Sequence, residues 1–235
     1  TTGGDQVNVE GNHVGSWNFA LNYYWHDWKF RAYYEHFFDD HSQMFLQYGR
    51  WKDGHIGLEI TFPKNRFIDT FVYEGLGTKD QTGPMLYDSF WGEFEEQISA
   101  KDNYYNHYLY QGWQHWGMGI GNPLLPGPIY NKNGQITFIS NRVLAHHIGF
   151  CGSPCQSLSY RMLLSYSRHW GTYDNPLNEI KKQFNSLFEV TYAPQQLKGW
   201  SFTVSGAMDR GNLLGNNYGG MLVIRKQGII KSGNK

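Results

Sequence analysis

Residues 16–26, SWNFALNYYWH, and residues 28–38, WKFRAYYEHFF, decide the fold class of this chain. Both segments place large apolar side chains at nearly every second position, with mostly small or polar side chains between them. Successive side chains along a β-strand point to opposite faces of the sheet. Each segment therefore predicts a strand with one apolar and one polar face. The single residue between the segments, Asp27, predicts that they form a hairpin.

The same alternation recurs along most of the 235 residues and predicts further strands in meander order. No segment predicts a helix of convincing length. We therefore expect an all-β, antiparallel fold of about 10–12 strands in a single domain that covers residues 1–235. The further predicted strands are 42–51, 55–62, 66–77, 103–116, 135–151, 155–170, 184–192, 200–209 and 218–227.

Two all-β architectures alternate in this way, a soluble β-sandwich and a transmembrane β-barrel. Several predicted strands have about 10 residues or more, enough to cross a bilayer, whereas soluble strands average about 5–6. Aromatic residues such as Trp17 and Trp25 lie at the ends of apolar stripes, as in membrane-interface girdles. An antiparallel up-and-down transmembrane β-barrel is therefore favoured, and a secreted sandwich or lectin is the alternative. The polar faces carry charges that suit a hydrated lumen: Lys29, Arg31, Glu35, Glu59, Arg161, Glu189 and Asp209.

The number of predicted strands is odd, about eleven, whereas single-chain bacterial outer-membrane barrels have an even number. We therefore expect the chain to be an incomplete C-terminal segment of a larger barrel. Thr1 to Asp5 do not form a signal peptide, which predicts that the peptide was removed or that the chain is a fragment. The connections predicted on the periplasmic side lie near Asp27, Asp53, Ser153 and Gln195 and at 78–102. Those predicted outside are 39–41, 63–65, 119–134, 171–182 and 210–217.

Composition excludes several classes of protein. The 20 Lys and Arg residues balance 20 Asp and Glu residues, so no nucleic-acid partner is expected. No apolar run approaches the roughly 18 residues of a membrane helix, which excludes a helical membrane protein. No metal or other cofactor is expected, since the adjacent His146 and His147 point to opposite faces of a strand. Cys151 and Cys155 are interpreted as a disulfide across a hairpin or as two small apolar residues.

Four stretches carry a resemblance to a known family. They are YEHFFDDHSQMFLQ (34–47), DNYYNHYLYQGWQHWGMGIGNPLL (102–125), SYSRHWGTYDNP (165–176) and MDRGNLLGNNYGGM (208–221). Together they resemble the Wzi family of capsule assembly proteins of Bacteroides and their relatives. The resemblance implies a monomeric outer-membrane barrel of about eighteen strands, of which this chain would be the C-terminal half. It also implies binding of capsular polysaccharide and its attachment to the cell surface, without enzymatic activity.

The predicted outer rim gathers residues suited to carbohydrate binding. Flat aromatic rings cover the apolar side of a pyranose, while amide, carboxylate and guanidinium groups bind its hydroxyls. An anionic sugar would favour Arg210 or Arg168, because Arg pairs with a carboxylate through two hydrogen bonds. The alternative for Trp113, Trp116 and Trp170 is anchoring at the membrane interface. The carbohydrate-binding candidates are Trp113, His115, Trp116, Tyr130, Trp170, Tyr173, Asp174, Arg210, Asn216 and Asn217.

The sequence thus predicts a lectin-like protein of the bacterial outer membrane that contacts lipid and capsular polysaccharide. We expect a monomer with no catalytic residue and no cofactor. A general porin or sugar channel is one alternative function. An outer-membrane hydrolase is another, although no GxSxG elbow is present and the pair Ser167 and His169 lies only two positions apart.

Overall fold

The computed structural model describes residues 15–38, 41–44, 53–65, 67–85, 101–107 and 113–228. Regular structure in these residues is almost entirely β, which confirms the all-β prediction. The exceptions are a four-residue helix, α1 (His41–Met44), and a 3-10 turn, η1 (Pro128–Tyr130). No helix in the described ranges has the length and apolarity to cross a membrane. The strands are β1 (Gly15–Trp25), β2 (Trp28–Phe38), β3 (Gly54–Thr61), β4 (Thr70–Gly77), β5 (Gln114–His115), β6 (Met118–Gly119), β7 (Val143–Cys155), β8 (Leu158–Gly171), β9 (Pro176–Tyr192), β10 (Trp200–Gly211) and β11 (Asn217–Lys226).

Nine of these strands form one large antiparallel sheet in the order β1-β2-β3-β4-β7-β8-β9-β10-β11. Strands β5 and β6 form a separate two-stranded ribbon. Each strand of the large sheet therefore pairs with the next large strand along the chain, which confirms the predicted up-and-down order. Strands β1 and β11 are its edges in the described part of the chain.

Several strand boundaries match the sequence predictions closely. In the first hairpin, β1 pairs with β2 from Gly15 opposite Phe38 to Trp25 opposite Trp28. A two-residue turn, His26–Asp27, joins the strands where the sequence predicted a one-residue separation. His26 occupies the left-handed region with φ of 51°. Alternation thus locates this hairpin almost to the residue.

Three predicted strands are wrong in part. The predicted strand 66–77 begins only at Thr70, because the side chain of Asn65 accepts hydrogen bonds from the backbone N–H groups of Phe67 and Ile68. The predicted strand 135–151 begins only at Val143. Of the predicted strand 103–116, only β5 is extended, and residues 108–112 lie outside the described ranges.

The predicted strand 42–51 also fails where it is described, since its first residues belong to α1. Its remainder, residues 45–51, lies outside the described ranges. The turn predicted at Ser153 is displaced, because β7 continues through that residue and the chain turns at 156–157. Cys151 and Cys155 consequently lie on one strand, and both thiols are free.

The cross-strand register divides the sheet into two chemically different faces, because directly opposed residues point to the same side. The apolar face carries pairs such as Tyr23–Phe30 and Leu21–Ala32, and it continues across all nine strands to Val204–Leu222. The polar face carries the seven charged residues that the sequence assigned to one side: Lys29, Arg31, Glu35, Glu59, Arg161, Glu189 and Asp209.

The apolar face is open to its surroundings. Leu21 and Leu222, on the edge strands β1 and β11, are 71% and 65% exposed, and Phe188, on the inner strand β9, is 50% exposed. A β-sandwich would bury these side chains under a second sheet. Within the described residues the only other sheet is the β5–β6 ribbon, so the sandwich alternative lacks its second layer.

The connections separate the sheet into two ends. The turn end carries the connections 26–27, 62–69, 156–157 and 193–199, and the loop end carries 39–53, 78–142, 172–175 and 212–216. The sequence placed Asp53 with the short turns and 63–65 opposite them, and both predictions are wrong. The segment 78–102 was also assigned to the wrong end, because it belongs to the 78–142 connection.

The connection 78–142, here called the β4–β7 connection, folds back over the polar face near the loop end. Its residues Leu125 and Phe138 pack with Leu76, Val143 and Ala145 of the sheet, and all five are at least 94% buried. Full burial of such a side chain contributes about 1.5–3 kcal/mol for Leu, Val or Phe. This small core fixes the connection against the sheet and thereby positions the groups described next.

Candidate functional site

A buried carboxylate anchors the start of the β4–β7 connection. Asp53 accepts hydrogen bonds from the backbone N–H groups of Asp80 and Gln81, at 2.8 and 2.7 Å, and from the hydroxyl of Tyr104 at 3.1 Å. The hydroxyl of Tyr104 also receives a hydrogen bond from the side-chain amide of Gln43. Burial raises the pKa of Asp53, although its three donors oppose the shift, and burial raises the pKa of Tyr104 well above 10.0.

Amide side chains extend this network. Asn141 donates to the side-chain oxygen of Asn103 at 2.6 Å and to the backbone oxygen of Tyr104 at 2.8 Å. Asn106 forms two hydrogen bonds of 2.8 Å with Phe138, one to its carbonyl and one from its N–H group. The side chain of Asn106 thus forms with the backbone of Phe138 the two hydrogen bonds that a neighbouring strand would form. These contacts hold two segments, 103–106 and 138–141, together at the loop end.

A cleft of about 910 Å³ lies beside these segments. Its walls come from residues 103–107, 133–139 and 172–177, and it falls within the size range of small-molecule sites. Ile136, Ile139 and Leu177 supply apolar surface, and the remaining lining is rich in amide and hydroxyl groups. Among the described residues that line the cleft there is no Lys or Arg. It suits a neutral, hydroxyl-bearing ligand.

The side-chain amides that line the cleft differ in whether they are free to bind a ligand. Asn103 and Asn106 are committed to the internal network. The side-chain amides of Gln135 and Asn175 are exposed and form no hydrogen bond with other described residues. Gln135 and Asn175 are therefore the groups best able to bind a ligand. Neither was among the sequence candidates, because their proximity depends on segments about 40 positions apart in the chain.

Four sequence candidates lie together on the β4–β7 connection. Trp113, His115 and Trp116 belong to the β5–β6 hairpin, where Trp116 occupies the tip and is 86% exposed. The backbone N–H group of Ile129 donates to the carbonyl of Gly117 at 2.8 Å, which holds η1 and its Tyr130 beside the hairpin. The structure thus brings these four residues into one region, while the cleft lining contains none of them.

Three further candidates surround the β8–β9 turn, where their side chains are already engaged. The ring of Trp170 has the ammonium of Lys79 at 4.9 Å and the guanidinium of Arg168 at 5.0 Å from its centroid. Similar cation contacts involve Tyr173, whose ring lies 3.7 Å from the guanidinium of Arg142. Asp174 lines the cleft but forms an ion pair with Lys101 at 2.5 Å; the candidates here are Trp170, Tyr173 and Asp174.

The last three candidates lie at the β10–β11 connection and do not line the cleft. Asn216 accepts a hydrogen bond from the N–H group of Gly211 at 3.2 Å, and Asn217 donates to the carbonyl of Leu214 at 3.3 Å. These contacts stabilise the connection. Arg210 pairs with Phe184 and so belongs to the apolar face. Asp39, Asp40 and the side chain of His41, also predicted at the rim, lie outside the described residues.

The described residues also bear on catalysis and metal binding. Nε2 of His169 lies 2.9 Å from the hydroxyl of Ser167, but both residues are at least 98% buried, which keeps a substrate from reaching them. Within the described ranges no group of three metal-ligating side chains is found. His146 lies on the apolar face and His147 on the polar face, as adjacent strand positions predict.

Comparisons of the chain with protein-family models, with curated proteins and with solved structures give no match.

Proposed function

We propose that this chain is part of an outer-membrane β-barrel whose loop end binds a surface polysaccharide without catalysis. The single observation that carries the proposal is the apolar face, which is continuous over nine strands and exposed on edge and inner strands alike. Contact with lipid would remove this surface from water and stabilise the protein by about 25 cal/mol per Å². The opposite face would line a hydrated interior.

The dimensions of the apolar face agree with this location. Trp17 and Trp25 mark the two ends of its stripe on β1, eight residues apart. At about 3.3 Å per residue that separation is about 26 Å along the strand, or about 20 Å along the membrane normal for a strand tilted by about 40°. The apolar band of an outer-membrane barrel is about 25 Å tall and is flanked by aromatic girdles. The long connections of such barrels face outward, which would place the loop end at the cell surface.

The cleft at the loop end supports the binding part of the proposal. The exposed amides of Gln135 and Asn175 can both donate and accept hydrogen bonds with sugar hydroxyls. Ile136 and Leu177 offer apolar surface to the C–H side of a sugar ring. Four stretches of the sequence resemble the Wzi capsule assembly family, and this resemblance is part of the proposal. It is the reason why the proposed ligand is a capsular polysaccharide.

Binding of purified capsule by the full-length protein in detergent tests the proposal. We expect the double variant Gln135→Ala, Asn175→Ala to bind about tenfold more weakly, because two hydrogen bonds of about 0.5–1.5 kcal/mol are lost. Asn22→Ala is the matched control, since Asn22 is an exposed amide on β1, far along the sheet from the cleft. Equal affinity of the double variant and the wild type would contradict the role of the cleft.

A channel is the second candidate function, because the polar face carries charges of both signs, such as the pair Arg161–Glu189 at 3.3 Å. The β4–β7 connection argues against an open pore. Its residue Leu124 lies in one pocket with His55 and Glu74 of the polar face. A sustained ion current through the full-length protein in a planar bilayer would favour the channel over the polysaccharide-binding protein.

A further inference from the structure

Three neighbouring strands carry a cation on the apolar face at the loop end. Arg168 of β8 is the register partner of Lys182 of β9, so both side chains leave the sheet on the same side. Arg210 of β10 pairs with Phe184, two positions from Lys182, and therefore shares that side. These residues form the loop-end border of an otherwise apolar surface.

A fourth cation joins this border from the β4–β7 connection. The ammonium of Lys79 and the guanidinium of Arg168 both lie against the ring of Trp170, at 4.9 and 5.0 Å from its centroid. We call Lys79, Arg168, Lys182 and Arg210 the cationic rim. Trp170 fixes the position of two of its members.

The positive charge of the cationic rim is not neutralised by the described part of the chain. None of its four residues forms an ion pair with a described carboxylate. Two carboxylates of the adjoining segments pair with other cations, Asp174 with Lys101 and Glu179 with Lys181. Like charges directly opposite one another on a sheet are destabilising, and Arg168 faces Lys182. The rim therefore favours an external anion.

The surface next to the rim indicates which anion fits. Moving along β8 and β9 toward the turn end, the pair Arg168–Lys182 is followed by Tyr166–Phe184 and then by Leu164–Ser186 and Met162–Phe188. Cations thus give way to aromatic rings and then to mainly apolar side chains. A membrane lipid has the same order, with a charged headgroup, an interfacial region and acyl chains.

We infer that the cationic rim binds the phosphate groups of a lipid in the leaflet at the loop end, while Met162, Leu164 and Phe188 contact its acyl chains. The inference rests on the proposed membrane location. Arg168 and Arg210 lie two strands apart and are offset by two positions along the strands, about 12 Å between their backbones, which is wider than one phosphate. A lipid with two phosphates therefore fits the rim better than a lipid with one.

The test uses full-length protein in phosphatidylcholine nanodiscs, prepared with and without a minor fraction of diphosphorylated lipid A. Native mass spectrometry then counts the lipid A molecules retained after release into detergent. We expect the triple variant Arg168→Gln, Lys182→Gln, Arg210→Gln to retain about tenfold less, because charge-assisted hydrogen bonds to phosphate are lost. Lys226→Gln is the matched control, since Lys226 lies on the same face at the turn end, 5.3 Å from the ring of Trp200.

Two results would overturn the inference: equal retention by the triple variant and the wild type, or complete displacement of lipid A by free inorganic phosphate. The single variant Arg210→Gln changes only one exposed residue and keeps the test valid if the triple variant does not fold. We expect it to retain less lipid A than the wild type and more than the triple variant. A circular dichroism spectrum of each variant shows whether its β-sheet content is unchanged. Failure of the wild type to enter nanodiscs would instead overturn the proposed membrane location, so the two failures are distinguishable.

Discussion

The hydroxyl of Tyr104 donates a hydrogen bond of 3.1 Å to the carboxylate of Asp53, which lies 51 positions earlier in the chain. Asp53 also accepts hydrogen bonds from the backbone N–H groups of Asp80 and Gln81. One buried side chain thereby joins the start of β3 to two parts of the β4–β7 connection. The position of the loop-end cleft depends on such contacts, because the segments that line it have few strand pairings of their own.

The first prediction concerns the pH dependence that Asp53 gives to stability. Burial raises the pKa of its carboxyl above the usual 3.8, so the folded protein holds this proton more tightly than the unfolded chain. By linkage, the contribution of Asp53 to the free energy of unfolding falls as the pH rises from about 3.8 through the raised pKa. We expect the stability advantage of the wild type over Asp53→Asn to shrink over this interval. Thermal unfolding across the pH range, followed by circular dichroism, measures it, and an advantage that grows with pH would contradict the prediction.

The second prediction concerns the strand-like pairing of Asn106 with Phe138. Asn106→Ala removes both hydrogen bonds and leaves the N–H group of Phe138 without its partner, at a cost of about 1–3 kcal/mol. We expect faster hydrogen exchange at the Phe138 amide while exchange in β8 is unchanged. Gln135→Ala is the control, because its side chain makes no hydrogen bond within the described ranges. Equal exchange in the two variants would show that Asn106 is not a structural clamp.

The sequence predicts the regular hairpins well because their signal is local. Alternation alone locates β1 and β2, where each side chain's face follows from its neighbours. Alternation fails at 135–141, a segment that contains apolar residues but does not join the sheet. There the backbone is bound by side chains, as when Asn131 donates to the carbonyls of Gln135 and Thr137. Such partners leave no periodic trace in the sequence.

The candidate site was less predictable than the fold. Ten residues were chosen for their chemistry, and of these only Asp174 lines the cleft. Trp170 was interpreted as a sugar platform or a membrane anchor, but its ring contacts Lys79 and Arg168. The contact with Lys79 joins β8 to a connection about 90 positions away. Residue type therefore selected residues at the loop end of the sheet, but nine of the ten lie outside the lining of the cleft there.

The third prediction uses two adjacent residues of β1 that face opposite ways. Leu21 lies on the apolar face and Ala20 on the polar face, opposite Tyr33. An Arg near the middle of a lipid-facing band costs about 2–4 kcal/mol, whereas one in a hydrated lumen costs little. We expect Leu21→Arg to reduce insertion of the full-length protein into lipid vesicles and Ala20→Arg to insert like the wild type. Equal insertion of the two variants would contradict the proposal that the apolar face contacts lipid.

The last prediction concerns which end of the sheet faces the medium. Cys155 is exposed close to the 156–157 turn, at the turn end, and Gln135 is exposed in the cleft at the loop end. Two single-cysteine proteins compare them: Cys151→Ala, which keeps Cys155, and Cys151→Ala, Cys155→Ala, Gln135→Cys. A maleimide on a polymer too large for the outer membrane reaches only thiols at the cell surface. We expect intact cells to label position 135 alone, and Cys155 to label only after the outer membrane is permeabilised. The opposite labelling order would contradict the proposed orientation, because the long connections would then face the periplasm and the cleft could not meet a polysaccharide outside the cell.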